Sequence, residues 1–379
     1  MATTSTKQFN TIPGIFLIVY HIFVLIALPI YFYYATIHWG TIIASIVLLY
    51  LTGLSITGGY HRFFAHRSYR TNPIIESILL FFGAMAIQGS ALRWGYDHRN
   101  HHAYVDTDKD PYSIKKGFWF AHMFWLFDKP KKIEDKIVPD LMNNKRVMFQ
   151  HKWILPSMIL TNVIAFVTVG WLMNDWLGAF FVAVWLRILA LHHFTWFINS
   201  LAHTWGEKPF SEEHTAVDNY IISMLTFGEG YHNYHHTFAN DYRNGIRWYH
   251  FDPTKWLIWT LSKVGLAHSL KRTDAYTVKK RMVLERKVLL LDQIKLAWDE
   301  KKDYLEKEVQ ELSERIVGKI SDFNQLREKY FQFEQDCVSK DILKQIRQEI
   351  RFMKKSIKTD WKHWSNLTSY IRSRTASYC

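Results

Sequence analysis

Cysteine is nearly absent. The 379 residues hold 2, Cys337 and Cys379, which excludes a disulfide framework and a thiolate-based zinc or iron–sulfur site. Glycine (17) and proline (9) are sparse, and the sequence has no G-x-G-x-x-G turn, phosphate loop or internal repeat, so it carries no dinucleotide or nucleotide motif. Acidic residues are outnumbered, 34 against 47 Lys and Arg, for a formal charge of +13. Such a balance suits nucleic acid or an anionic membrane surface, and the apolar runs in the same chain favour the membrane. The opening residues, MATTSTKQFN, lack the pattern of a cleaved leader: the apolar run after them is too long and has no small-residue cleavage site.

What the chain has in excess is aromatic side chains, 16% of residues, with 16 Trp, 20 Tyr and 26 Phe. Trp and Tyr gather at membrane–water interfaces. The mean hydropathy of −0.13 averages two unlike regions. Four stretches, 13–34, 39–58, 153–172 and 176–198, have the roughly 20 apolar residues that crossing a bilayer core requires. Short links near Thr36 and Asp175 join them into two helical hairpins. A fifth apolar stretch, 74–92, carries Glu76 and Gln88 and many small residues. It reads as an interfacial or re-entrant helix, because a full crossing would part the histidine clusters on either side of it. The link 59–152 is rich in Lys and Arg and the two short links have none, so the positive-inside rule places that link and both termini in the cytoplasm.

From residue 271 to 379 the chain is charged, poor in Gly and Pro, and helical in pattern. Leu305, Val309, Leu312, Ile316, Phe323, Leu326 and Tyr330 fall close to heptad spacing, and Leu343, Ile346, Ile350, Met353 and Ile357 resume it after a break near Ser339. We expect a helical hairpin or coiled coil, a solvated appendage with scope for self-association. The expected division is therefore a short N-terminal segment (1–12), a membrane domain (13–270) and this extension.

Chemistry is concentrated in three histidine clusters: His61 and His66 in H-R-F-F-A-H, His98, His101 and His102 in H-R-N-H-H, and His232, His235 and His236 in H-N-Y-H-H. Spacing of i, i+3, i+4 puts three imidazoles on one helical face. Imidazole serves iron, copper, nickel and zinc alike, so ligand type alone does not choose the metal. A lone histidine is more often structural. Eight of the chain's 19 in three short runs on one predicted side of the membrane point instead to a metal site. Asn199 and His203, four apart after the fourth apolar stretch, extend the set. His192 and His193 lie within that stretch, where polar side chains are rare, whereas His122 and His151 read as structural.

The spacing and flanks of these clusters, G-G-Y-H-R-F-F-A-H-R-S-Y, D-H-R-N-H-H-x4-D-T-D-K-D-P-Y, W-F-I-N-S-L-A-H and G-E-G-Y-H-N-Y-H-H-T-F, resemble the acyl-CoA desaturases of the stearoyl-CoA (Δ9) type over residues 12–270. The resemblance implies an all-α membrane protein, four spanning helices under a cytosolic helical cap that holds two irons. It implies one iron on His61, His66, His98, His102 and His235, and the other on His101, His203, His232 and His236, with Asn199 reaching an iron through water. Gln88, Trp94, Thr195 and Trp196 match residues at the bend of the family's acyl tunnel, and Asp97 and Lys129 match residues near the CoA head group. Tyr96 and Gly89 stand where the animal enzymes have Arg and Asn, which leaves the acyl carrier open.

The implied reaction is O2-dependent insertion of a cis double bond, Δ9 by resemblance, into a long-chain acyl group, with no catalytic side chain outside the metal centre. Asp97, Asp106 and Glu229 are candidates for orienting the imidazoles. Two electrons per turnover must come from outside, because the chain has no dinucleotide turn, four-cysteine cluster or fused haem domain. A cytochrome b5 or ferredoxin with its reductase is the implied partner, docking on the basic cytosolic face. The alternatives are a membrane di-iron hydroxylase, a non-catalytic metal-binding or metal-transporting membrane protein, and a membrane-anchored scaffold that leaves the histidines idle.

Overall fold

The computed structural model describes residues 8–36, 38–297 and 301–375. Residues 1–7 of the expected N-terminal segment, and Cys379, lie outside them. The chain divides into two compact units, one of Met1–Lys208 with Glu213–Arg272, the other of Pro209–Glu212 with Thr273–Cys379.

The first unit is mainly helical, with a two-residue antiparallel pairing, Arg70 with His268 and Thr71 with Ala267. Helix α1 is Thr11–Tyr34. Helix α2 runs from Trp39 to Leu54 and continues as a π-helix over Ser55–Ala65. Helix α3 is Pro73–Met85, α4 is Ala91–Tyr104 and α5 is Ile154–Met173. Helix α6 begins at Trp176, passes through π turns at Ala179–Leu186, and ends at Asn199. The second and fourth spans thus extend the apolar stretches at their site ends, the second through Ala65 and the fourth through His203. At 24 residues, α1 is about 36 Å long, enough for a hydrocarbon core of about 30 Å. Ile15, Ile18, Ile22, Leu25 and Ile26 remain exposed on it, as a lipid-facing surface requires.

The turn between α5 and α6 is set locally. Asn174 adopts a left-handed conformation (φ 50°), and the Asp175 side chain accepts from Gly178 N at 2.8 Å. Thr41 of α2 donates to the same carboxylate at 2.6 Å, tying the two hairpins together. Helix α3, at 13 residues, is only about 20 Å long. It is stopped by left-handed residues at Ile87 (φ 54°) and Gly89 (φ 82°), after which Ser90 caps α4. Glu76, the charge that marked this stretch, is buried and paired with Arg146 at 2.7 Å.

Among the described residues of the second unit there are three helices, one more than the two heptad runs indicate: α10 at Ala275–Ala297, α11 at Lys302–Gln335 and α12 at Lys340–Thr375, numbered after three short helices of the first unit (α7, Tyr220–Leu225; α8, His232–Thr237; α9, Pro253–Lys263). Val283, Leu290 and Ile294 of α10 join Leu305, Val309, Leu312, Ile316, Ile320 and Phe323 of α11, and Ile357, Trp364 and Ile371 of α12, in one core.

Candidate metal centre and its cavity

The spacing of His61 and His66 has a backbone consequence. Five residues apart in an α-helix, the two rings would lie about 140° apart around the axis. The π-helix corrects this: its i→i+5 pattern ends with His66 N donating to His61 O at 3.0 Å, and the ring centroids come within 4.8 Å. The triplets on α4 and α8 follow ordinary helical geometry, and each is split. His98 and His102 face one group and His101 the other, whereas His232 and His236 share a group and His235 crosses to its neighbour.

The nine histidines therefore form two clusters: His61, His66, His98, His102 and His235, and separately His101, His203, His232 and His236. Within the first, His66 Nε2 lies 2.8 Å from His98 Nε2, and His235 Nε2 lies 2.9 Å from both His61 Nε2 and His102 Nε2. Within the second, His236 Nε2 is 3.1 Å from His232 Nε2 and 3.3 Å from His101 Nε2. His203 lies beyond the end of α6. It sits on a 3-10 turn, Leu201–His203, and backbone bonds of Val217 to Ala202 O (2.8 Å) and of His232 N to Val217 O (3.1 Å) bring it beside α8.

The opposite ring nitrogens are held by acceptors. His61 Nδ1 is 2.9 Å from Glu229 and His101 Nδ1 is 3.0 Å from Asp110, so both rings carry their proton on Nδ1 and turn a lone pair inward at Nε2. His203 is fixed in two steps: Thr215 donates its hydroxyl proton to Asp106 at 2.7 Å, and the Thr215 oxygen accepts from His203 Nδ1 at 2.8 Å. His203 Nε2 is then a bare lone pair, buried and without a hydrogen-bond partner among the described residues. His98 Nδ1 meets the Tyr112 hydroxyl at 3.2 Å. Converging lone pairs repel, and one N–H on His235 satisfies only one of its two contacts. A cation at the centre of each cluster satisfies all of them, so these residues fit a two-metal site.

Burial holds His66, His98, His102, His232, His235 and His236 well below the ordinary histidine range, and neighbouring imidazoles push the same way. Neutral rings are what a metal needs. Burial by itself would raise the Glu229 carboxyl, but His61 and Arg62 more than offset it and keep it ionised. Arg62, itself buried, binds Glu229 at 2.9 Å and Asp252 at 3.0 Å, so the orienting carboxylate is anchored in turn.

Of the three carboxylates expected to orient imidazoles, Glu229 and Asp106 do so, the latter through Thr215. Asp97 does not; it pairs with Arg93, whose guanidinium also reaches Lys131 O. Sequence reasoning does not single out Asp110 and Tyr112. They belong to the D-T-D-K-D-P-Y run, which sends Asp110 to His101, Tyr112 to His98 and, through Thr215, Asp106 to His203.

A cavity of about 2020 Å³ opens beside the first cluster, with His61 and His98 in its wall. Gln88, Trp94, Asp97, Lys129, Thr195, Trp196 and Asn199 all line it. Gln88 donates to Thr195 at 2.9 Å, and Trp94 stacks on His98 with centroids 4.8 Å apart. Tyr96 and Gly89 line it too, and at φ 82° position 89 favours glycine. Part of the wall is densely charged: Arg93, Lys109, Lys116, Lys129, Lys131 and Lys136 line it together with Asp97, Asp108, Asp128 and Glu134, Arg93 paired with Asp97 and Lys136 with Glu134; Lys129 donates to Gln8 at 3.0 Å. Of the other histidines, His214 packs beside the second cluster, its ring 5.2 Å from that of His236. His192 binds the Tyr20 hydroxyl and Ala86 O, His193 links His21 to His122, and His151 meets Ser90.

Fold and site define a class: an integral-membrane all-α protein with two histidine clusters fit to hold metal beside a cavity. Residues 37–269 match the family model of fatty acid desaturases, and the chain belongs to that family. It is 42% identical over 262 residues to a probable acyl-CoA desaturase of Schizosaccharomyces pombe, covering 68% of this chain and 55% of that protein. It is 38% identical to acyl-CoA desaturase 1 of Saccharomyces cerevisiae (69% of this chain, 52% of the yeast protein). Identity is 32% to an sn-1 stearoyl-lipid 9-desaturase of Anabaena variabilis, with 72% of this chain and 98% of that one covered. The chain thus spans about half the length of the two yeast relatives.

Proposed function

We propose that the chain is an O2-dependent fatty acyl desaturase that places a cis double bond, at Δ9, in a saturated long-chain acyl group carried on CoA. The observation that carries this reading is that the first of two adjoining histidine clusters, through His61 and His98, forms part of the wall of a largely apolar cavity. The nine histidines, with Asn199 nearby, would hold iron, which with O2 and two external electrons would supply the oxidising power that hydrogen removal from a methylene chain needs.

The chain's own residues bind and orient. Glu229, Asp110 and the Asp106–Thr215 pair hold protons on Nδ1 of His61, His101 and His203, which keeps each Nε2 turned inward. Trp94, stacked on His98, and the Gln88–Thr195 bond set the wall against which two neighbouring carbons are held, an effect of proximity. The lysines at the cavity suit the phosphates of a CoA head group. The membrane domain is read as 13–270, with both termini and the centre on the cytosolic side of the endoplasmic reticulum or of a bacterial inner membrane. A cytochrome b5 or ferredoxin is the donor on its basic face.

The test uses purified protein with a competent donor. The expected result is two irons per chain and an unsaturated product that requires O2. Metal without product would replace this reading with metal binding alone, and an oxygenated product would replace it with hydroxylation.

A further inference from the structure

The cavity does not stop at the metal centre. It follows α6 from Asn199 and Thr195 past Ile188 and Val184 to Phe180. Thr195 to Phe180 is fifteen residues, roughly 20 Å along the axis once the smaller rise of the π turns is allowed for. A saturated chain with C–C bonds of about 1.5 Å advances ~1.25 Å per carbon, so this length takes about sixteen carbons beyond the level of Thr195. At the far end the Phe180 ring lies 6.2 Å from Phe166 of α5 and 6.2 Å from Phe23 of α1, forming a floor.

The side of this passage is open. Leu155, Ile159 and Val163 of α5 line the cavity and yet are 62%, 59% and 48% exposed. Helix α1 packs on α6 around Val184 and Ile188, and α5 packs on it at Ala179 and Ala183, which leaves Phe180 between the two contact faces. On a spanning bundle the crevice between α1 and α5 faces lipid.

We propose that the tail of the acyl substrate lies in this crevice, in contact with the bilayer, and that the protein accepts acyl chains well beyond eighteen carbons. This rests on the desaturase reading above and names its substrate class. Neither a short closed end nor a sealed side limits the chain, and the aromatic floor is far enough from Thr195 to admit the longer tail.

The experiment supplies desaturase-deficient cells expressing the full chain with saturated fatty acids of sixteen to twenty-six carbons and measures the product at each length. The expected result is conversion of chains of twenty-two and twenty-four carbons within several-fold of that for eighteen. Val163→Trp, at the half-exposed rim, should keep conversion of the sixteen-carbon chain and cut that of the twenty-four-carbon chain at least tenfold. Conversion that stops at eighteen or twenty carbons in the unaltered chain overturns this inference and leaves the desaturase reading standing. An unchanged length profile in Val163→Trp, with long chains converted, overturns the crevice as their path. No product at any length removes both.

Discussion

Glu229 lies 2.9 Å from His61 and, through its other oxygen, 2.9 Å from Arg62, so one buried carboxylate connects a candidate metal ligand to a buried cation. The relationship explains why H-R and G-E-G-Y-H belong together. The arginine keeps the carboxylate charged, and the carboxylate keeps the imidazole proton away from the centre. Glu229→Gln should lower iron affinity about 10- to 100-fold, the usual effect of losing such a partner. Chelator competition on the purified protein checks this, and iron retention equal to that of the unaltered chain would count against it.

Thr215 permits a more selective test, because its hydroxyl serves only the second cluster. Thr215→Val removes the acceptor of His203 Nδ1 and frees the ring to turn. Iron per chain should fall from two towards one under mild chelation, with the cluster around His235 retained. Equal loss of both irons would mean that Thr215 supports the fold rather than His203.

How much of this is legible in the sequence follows from the physics of each element. The four spans declare themselves by composition, and the triplets on α4 and α8 declare their shared face by spacing. The H-x4-H pair does not, since the π-helix that aligns His61 with His66 is a local departure no periodicity announces. Asp110 and Tyr112 escape a sequence reading because they approach the site from a loop that turns back at Asp106 (φ 62°). Helix α10 does not stand out by pattern because, although Tyr276, Val283, Leu290 and Ile294 keep heptad spacing, Lys280 and Lys287 occupy the alternate positions of that register.

Acid should act on the metal-free protein in a definite direction. Six imidazoles outside the spans have folded-state affinities for protons well below the unfolded value of about 6.5. Below that pH the unfolded chain takes up protons that the folded chain refuses, so stability present above about pH 6.5 is lost as pH falls. Thermal unfolding of the metal-free protein in detergent at pH 7.5 and pH 5.5 measures this; a midpoint that does not drop at the lower pH would contradict it.

The helical extension should be separable in its effects. Ile316 of α11 is fully buried in the core of that unit, and Ile316→Ala should cost about 2–5 kcal/mol there. Hydrogen exchange should speed up across residues 275–375 while iron content stays at two per chain. A loss of iron in this variant would be the unexpected outcome.

The most direct measurement of the central claim concerns His235, whose Nε2 touches both His61 and His102. Cells lacking their own desaturase are given this chain or its His235→Ala form, and the acyl products are identified with their double bonds located. The account predicts cis-monounsaturated chains with the former and none with the latter. Equal product from both forms, or no unsaturated product from the unaltered chain with a competent donor, would contradict it.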